Sequence, residues 1–145
     1  MEVRARERQR WLRAAWMHDA LKDAPRDVVR ELAAPFDGSP ALWHGPAAAR
    51  RAELAGEHDR GVLDAVRYHS VGFAGWDRVG RMLYLADFLE AGRRRRDSVR
   101  ATQADRVPDD PDGVLREVAR DRIAQGIKQG WPLRPETVAF WNALT

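Results

Sequence analysis

Three stretches of this chain repeat one pattern, in which apolar residues at helical spacing end in an ionisable group. Leu12, Ala15 and Trp16 are followed at the i+7 position by Asp19. Val62, Ala65 and Val66 are followed at i+7 by His69, and Val79, Met82, Leu83 and Ala86 by Asp87, four residues after Leu83. Apolar residues at i, i+3, i+4 and i+7 mark the buried face of a helix. A charge carried onto such a face costs several kcal/mol or more unless it is paired or bound to metal. A single histidine there is more often a core residue bonded to a carbonyl, and a single aspartate can pair with arginine. Three such helix ends, together with His18 and His44, favour one shared site.

The rest of the chain is also helical in pattern. Short Pro/Gly punctuation separates the periodic segments, and there are no alternating β-branched runs, internal repeats or low-complexity tracts. The pattern predicts helices from about Arg4 to Leu21, from Pro25 to about Ala33, through Pro46 to about Leu54, and from about Asp59 to His69. Asp37 to Pro40 reads as a turn and Gly72 to Gly75 as a loop. A further helix is expected from about Trp76 to Glu90. Arg93 to Asp112 is the least regular stretch. Val114 to about Gln129 is expected to be helical and to stop at Gly130, and Pro135 opens a last helix to about Leu144. The fold class is therefore all-α, and at 145 residues the chain is expected to form one domain. That length suffices to bury about 68% of the unfolded surface.

Composition removes several chemistries. With no cysteine, thiolate metal sites, disulfides and thiol nucleophiles are excluded. With three serines, and without the glycine-rich, H-E-x-x-H or G-x-S-x-G patterns, neither a serine nucleophile nor a phosphate-cradling loop has a candidate. No run approaches the length of a membrane span, and the first ten residues are charged and polar, so no membrane association and a cytoplasmic location are expected. The net charge is +3, carried by 23 Arg against 2 Lys. That balance suits phosphate ligands or nucleic acid, or reflects compositional bias. No basic stripe with interleaved aromatics is present, which argues against nucleic acid. Imidazole and carboxylate without sulfur suit iron, manganese, cobalt, nickel or zinc. Neighbouring helical residues point about 100° apart, so His18 and Asp19 can both reach an ion between them. His58, among Glu57, Asp59 and Arg60, is expected to be exposed. Trp11, Trp16, Trp76, Trp131 and Trp141 are expected to pack in a core or interface, and Trp43 to pack beside His44.

These segments resemble the HD superfamily of metal-dependent phosphohydrolases, an all-α helical bundle, and within it the YqeK-like branch of symmetrical diadenosine tetraphosphate hydrolases. His18-Asp19-Ala20-Leu21-Lys22-Asp23 is similar to the branch's HD-x-x-K-D, and Leu42-Trp43-His44-Gly45-Pro46 to its L-x-H-G-P. Val62 to Gly72 resembles V-L-x-A-I-R-Y-H-T-T-G, Tyr84 to Arg93 resembles Y-x-A-D-Y-I-E-P-G-R, and Pro135, Thr137 and Asn142 echo P-x-T-x(4)-N. The likeness runs from about Trp11 to Leu144.

The resemblance implies a divalent transition-metal centre, di-iron or di-manganese, that hydrolyses a dinucleoside polyphosphate. His18, Asp19 and Asp87 would serve one ion, with Asp19 bridging, and His44 and His69 the other. Lys22 and Arg93 would neutralise phosphate, and Asp23 would orient a ligand or the water. A nucleotide substrate and a possible homodimer follow. The family also carries a histidine on an earlier helix. None precedes His18, so the domain (residues 1–145) is expected to lack that first helix and one ligand of the full set. Two alternatives stand beside this reading: a nucleotide- or metal-binding module with impaired catalysis, and an HD phosphohydrolase acting on another nucleotide.

Overall fold

A computed structural model describes residues 4–90 and 98–144. The helices, in order, are α1 (Ala5–Met17), α2 (Arg26–Ala33), α3 (His44–Leu54), α4 (Arg60–Tyr68), α5 (Arg78–Phe88), α6 (Ser98–Arg106), α7 (Pro111–Lys128) and α8 (Pro135–Leu144). A short 3-10 turn over Pro40–Leu42 leads into α3. No strand occurs among the described residues, so the all-α expectation holds. No helix there is long and apolar enough to cross a membrane.

The helix ends follow local chemistry. Asp59 caps α4 by accepting the Val62 amide, and Asp77 caps α5 by accepting the Val79 amide. Each carboxylate satisfies a backbone donor that the helix itself leaves unpaired. At the other end of α7, Gly130 adopts φ 76°. Its amide bonds the Ile127 carbonyl and the Trp131 amide bonds the Gly126 carbonyl. This Schellman pairing is the stop expected at Gly130.

Some boundaries differ from expectation. α5 starts at Arg78 because Asp77 is its cap, and α7 starts at Pro111 because Asp110 caps it with proline in the first turn. α6 lies inside the stretch expected to be irregular. Its residues are mostly polar and bury only Gln103, so no apolar stripe announces it.

The correction at α1 matters more. The helix stops at Met17, and turns bridged by Ala20 to Met17, Lys22 to Asp19 and Ala24 to Leu21 follow it. The stripe expected to be buried is turned to solvent: Leu12 is 58% and Trp16 88% exposed. The face that packs on α4 and α5 is instead Ala14, flanked by Trp11 and Met17. Apolar residues lie on both sides of this helix, so periodicity alone selected the wrong one. Trp131 is also exposed, whereas Trp76 is buried as expected.

Two apolar clusters meet at α5. Val79 and Leu83 face a cluster built from α1 to α4, with Ala14, Ala48, Val62 and Val66 at its centre. Tyr84, Leu85 and Leu89 face a second, with Val114, Leu115, Val118 and Phe140. Each fully buried valine or leucine contributes about 1.5–3 kcal/mol. In the second cluster Trp76, Tyr84 and Phe140 form a triangle of rings with centroids 5.2–5.6 Å apart. Gly72 (φ 91°) presses against the Phe140 ring, where a Cβ would clash. Nearby the Thr137 hydroxyl donates to the Val71 carbonyl at 2.7 Å and ties α8 to the chain leaving α4.

One arginine sets the frame for the site. Arg10 on α1 reaches Asp59 at 2.7 and 2.9 Å and Asp77 at 2.7 Å. The same two carboxylates cap α4 and α5. A single guanidinium therefore holds together the starts of the two helices whose far ends carry His69 and Asp87.

Candidate metal centre

His18, Asp19, His44, His69 and Asp87 come together although they are scattered over the first 87 residues. His18 is the C-cap of α1, and Asp19 follows in the turn. His44 is the first residue of α3 and His69 the C-cap of α4. Asp87 sits in the last turn of α5. Each residue is thus at a helix end, all gathered on one side of the α1, α3, α4 and α5 packing.

The three imidazoles are oriented alike. Each Nδ1 is turned to the backbone carbonyl three residues earlier: His18 to Ala15 at 2.6 Å, His44 to Ala41 at 3.1 Å, and His69 to Val66 at 2.7 Å. A carbonyl only accepts, so each Nδ1 carries the hydrogen and each Nε2 presents a lone pair. Those Nε2 atoms converge. His44 and His69 stand Nε2 to Nε2 at 3.1 Å. Two lone pairs at that distance repel unless a proton or a cation lies between them. Such tied-off Nδ1 atoms also match the way metal-ligating histidines are held.

Asp19 lies between two groups. Its Oδ1 is 3.7 Å from His44 Nε2 and 3.6 Å from His69 Nε2. Its Oδ2 is 3.3 Å from His18 Nε2, which in turn is 3.7 Å from Asp87 Oδ1. The candidate ligand atoms therefore form two sets that share Asp19: Asp19, His44 and His69, and His18, Asp19 and Asp87. Within each set the atoms lie within 4.8 Å of one another. The donor set fits a divalent metal ion.

Burial and charge agree with this use. His69 is only 2% exposed, while Asp19 is 42% exposed and open to an incoming ligand. The imidazoles of His69 and His18 hold the Asp19 carboxyl below its ordinary value. The Asp87 carboxylate raises His18, and burial lowers His44 with His69 adding to the effect. At Asp19 and His44 these directions favour the charged carboxylate and the neutral ring that bind metal; at His18 the Asp87 carboxylate favours a positive charge, which a cation between the two would supply in place of the proton.

Close packing supports the alignment. A Cβ on Gly45 would lie 2.7 Å from the Arg67 carbonyl and 3.4 Å from His69 Nδ1. Glycine there lets the start of α3 approach the end of α4, which brings His44 onto His69. Ser70, which the sequence pattern did not single out, places its hydroxyl 3.4 Å from His44 Nε2. Lys22 and Asp23 are exposed and line a cleft beside His44. His58 is exposed, as expected. Arg93 lies outside the described residues.

Comparison with known proteins places this architecture. No protein-family model matches the chain. The fold is that of an HD superfamily hydrolase. A solved structure from Clostridium acetobutylicum, of a predicted HD superfamily hydrolase involved in NAD metabolism, is similar with a TM-score of 0.78 and 24% identity. The match covers 90% of this chain and 73% of that one. Among curated proteins, the symmetrical bis(5′-nucleosyl)-tetraphosphatase of Bacillus subtilis is 29% identical over 141 residues, covering 90% of this chain and 74% of the relative. The protein of the same name from Halalkalibacterium halodurans is 30% identical over 141 residues, covering 90% and 73%. The chain belongs to the symmetrical bis(5′-nucleosyl)-tetraphosphatase family.

Proposed function

We propose that the chain hydrolyses dinucleoside tetraphosphates symmetrically, releasing two nucleoside diphosphates, with diadenosine tetraphosphate giving two ADP. The observation that carries this reading is the shared carboxylate: Asp19 turns one oxygen to the His44–His69 pair and the other to His18. Family membership supplies the substrate class.

In this reading His18, Asp19 and Asp87 hold one divalent ion and Asp19, His44 and His69 a second, with iron or manganese the metals that suit the donors. A bound pair of ions would lower the pKa of water and neutralise charge on the reacting phosphate. The chain's own residues do the rest. The carbonyls of Ala15, Ala41 and Val66 fix the three rings, so little reorganisation is needed when substrate arrives. Lys22, whose charge reaches both Asp19 and His44, neutralises a phosphate oxygen. Asp23 orients the water or a ligand from the cleft. Arg93 is assigned to phosphate on its sequence resemblance. A nucleotide substrate suits the cytoplasmic location expected from the sequence.

The test is incubation of the manganese- or iron-loaded protein with diadenosine tetraphosphate and identification of the products. ADP alone, lost in Asp19→Ala, supports the proposal. AMP with ATP, or no turnover with any divalent metal, rejects it.

A further inference from the structure

Beside the metal centre, a cleft of about 500 Å³ opens between α2 and the Pro40–Leu42 turn. His44 forms part of its wall, so it is continuous with the cluster. The lining also holds Arg26, the first residue of α2, whose guanidinium carbon stands 5.5 Å from the centroid of the Trp43 ring. Trp43 is itself fixed: its Nε1 donates to the Gly38 carbonyl at 3.0 Å, and it packs against the first apolar cluster.

The charges in this cleft are distinctive. Arg10, Arg13, Arg106 and Arg134 each pair with carboxylates at 2.7–2.9 Å. Arg26 and Lys22 line the cleft together with Asp23, and among the described residues no ion pair within 4.0 Å involves either cation. An arginine laid on an aromatic ring keeps its in-plane N–H groups available and loses little freedom on binding an anion. Ala24, Val29, Pro40 and Ala41 supply an apolar part of the lining, and Asp23 supplies its one carboxylate. Two cations against one carboxylate leave the lining net positive, and with the apolar residues they suit a group with a short anionic chain at one end and a flat, weakly polar body at the other.

We propose that this cleft receives one nucleoside diphosphate half of the substrate, and that Arg26, propped on Trp43, grips its diphosphate while the apolar part of the lining holds the nucleoside. The proposal rests on the hydrolase reading for its ligand class. It makes Arg26 a binding residue, outside the metal ligands, that sets which substrates are held.

The experiment measures calorimetric binding of ADP, pyrophosphate and adenosine to the manganese-loaded protein, alongside turnover of diadenosine tetraphosphate. Arg26→Ala is expected to weaken ADP about tenfold, as loss of a charge-assisted contact does, and to raise KM with little change in kcat. Arg26→Lys retains part of the affinity. Arg30→Ala, one turn further along α2 and outside this cleft, leaves it unchanged. Wild-type affinity for ADP in Arg26→Ala overturns the proposal. Pyrophosphate bound as tightly as ADP overturns the nucleoside assignment. Turnover with Arg26-independent ADP binding rejects the subsite and leaves the hydrolase; Arg26-dependent binding without turnover does the reverse.

Discussion

His44 and His69 meet Nε2 to Nε2 at 3.1 Å while each ring's Nδ1 is spent on a carbonyl of its own chain segment. Without a shared cation this contact opposes folding, and with one it becomes a link between α3 and α4. Manganese is therefore expected to stabilise the protein. At a hundredfold excess over Kd the gain is about 2.7 kcal/mol, on the order of 5–10 °C in Tm for a chain of this size. Thermal melts with manganese and with EDTA measure it, and a His69→Ala variant should lose the metal response.

The position of Asp19 between the two sets predicts unequal effects of two carboxylates. Asp19→Ala should deplete both ions and cut turnover roughly a thousandfold or more. Asp87→Ala should deplete one ion only, since Asp87 faces His18 and not the His44–His69 pair. Elemental analysis of the two purified variants distinguishes these outcomes. Loss of only one ion in Asp19→Ala would show that Asp19 does not bridge.

Gly45→Ala is expected to cost about 1–3 kcal/mol, because the added methyl meets a backbone carbonyl that cannot rotate aside. The same methyl pushes α3 from His69. Manganese affinity should fall together with Tm, even though no ligand has been changed. Calorimetric titration with manganese reads the first effect and a melt reads the second.

Arg10→Ala is expected to destabilise the fold by about 1–2 kcal/mol at neutral pH, allowing for partial solvent screening. The loss has a pH signature. The Arg10 guanidinium holds the Asp59 carboxyl below its ordinary value. A carboxyl depressed in the folded state stabilises above its unfolded pKa, about 3.9. That stability disappears as pH falls through the folded pKa. The gap between wild type and Arg10→Ala should thus be full at pH 7 and shrink below pH 4. Urea unfolding at both pH values checks it.

The exposed side of α1 makes a prediction that the sequence pattern would have reversed. Trp16→Ser should change stability by no more than about 0.5 kcal/mol, because the ring has little packing to lose. A large drop in Tm would mean that this face is covered in solution.

Local periodicity was enough to find the all-α class, most helices, and His69, whose stripe on α4 is buried on every predicted position. Asp19 was singled out by a stripe that proved to face solvent; its place in the cluster comes from the turn after Met17. Periodicity reports a preference for burial but not which neighbour supplies it, and α1 offers two apolar sides. The ordered motifs identified the ligand candidates where periodicity could not. Neither signal marks Arg10 or Arg26, whose partners lie far away in sequence. Such pairings form only once the chain has folded and leave no spacing to read.

The shared hold of Arg10 on Asp59 and Asp77 makes α4 and α5 two levers on one pivot. An 11-residue helix is about 16 Å long, so a tilt of about 4° at the pivot moves the far end by about 1 Å. A displacement of that size can cost a hundredfold in rate. The tolerances of the chemistry are therefore set at the opposite end of the helices, and the residues around Arg10 are where distant substitutions can detune the site without touching a ligand.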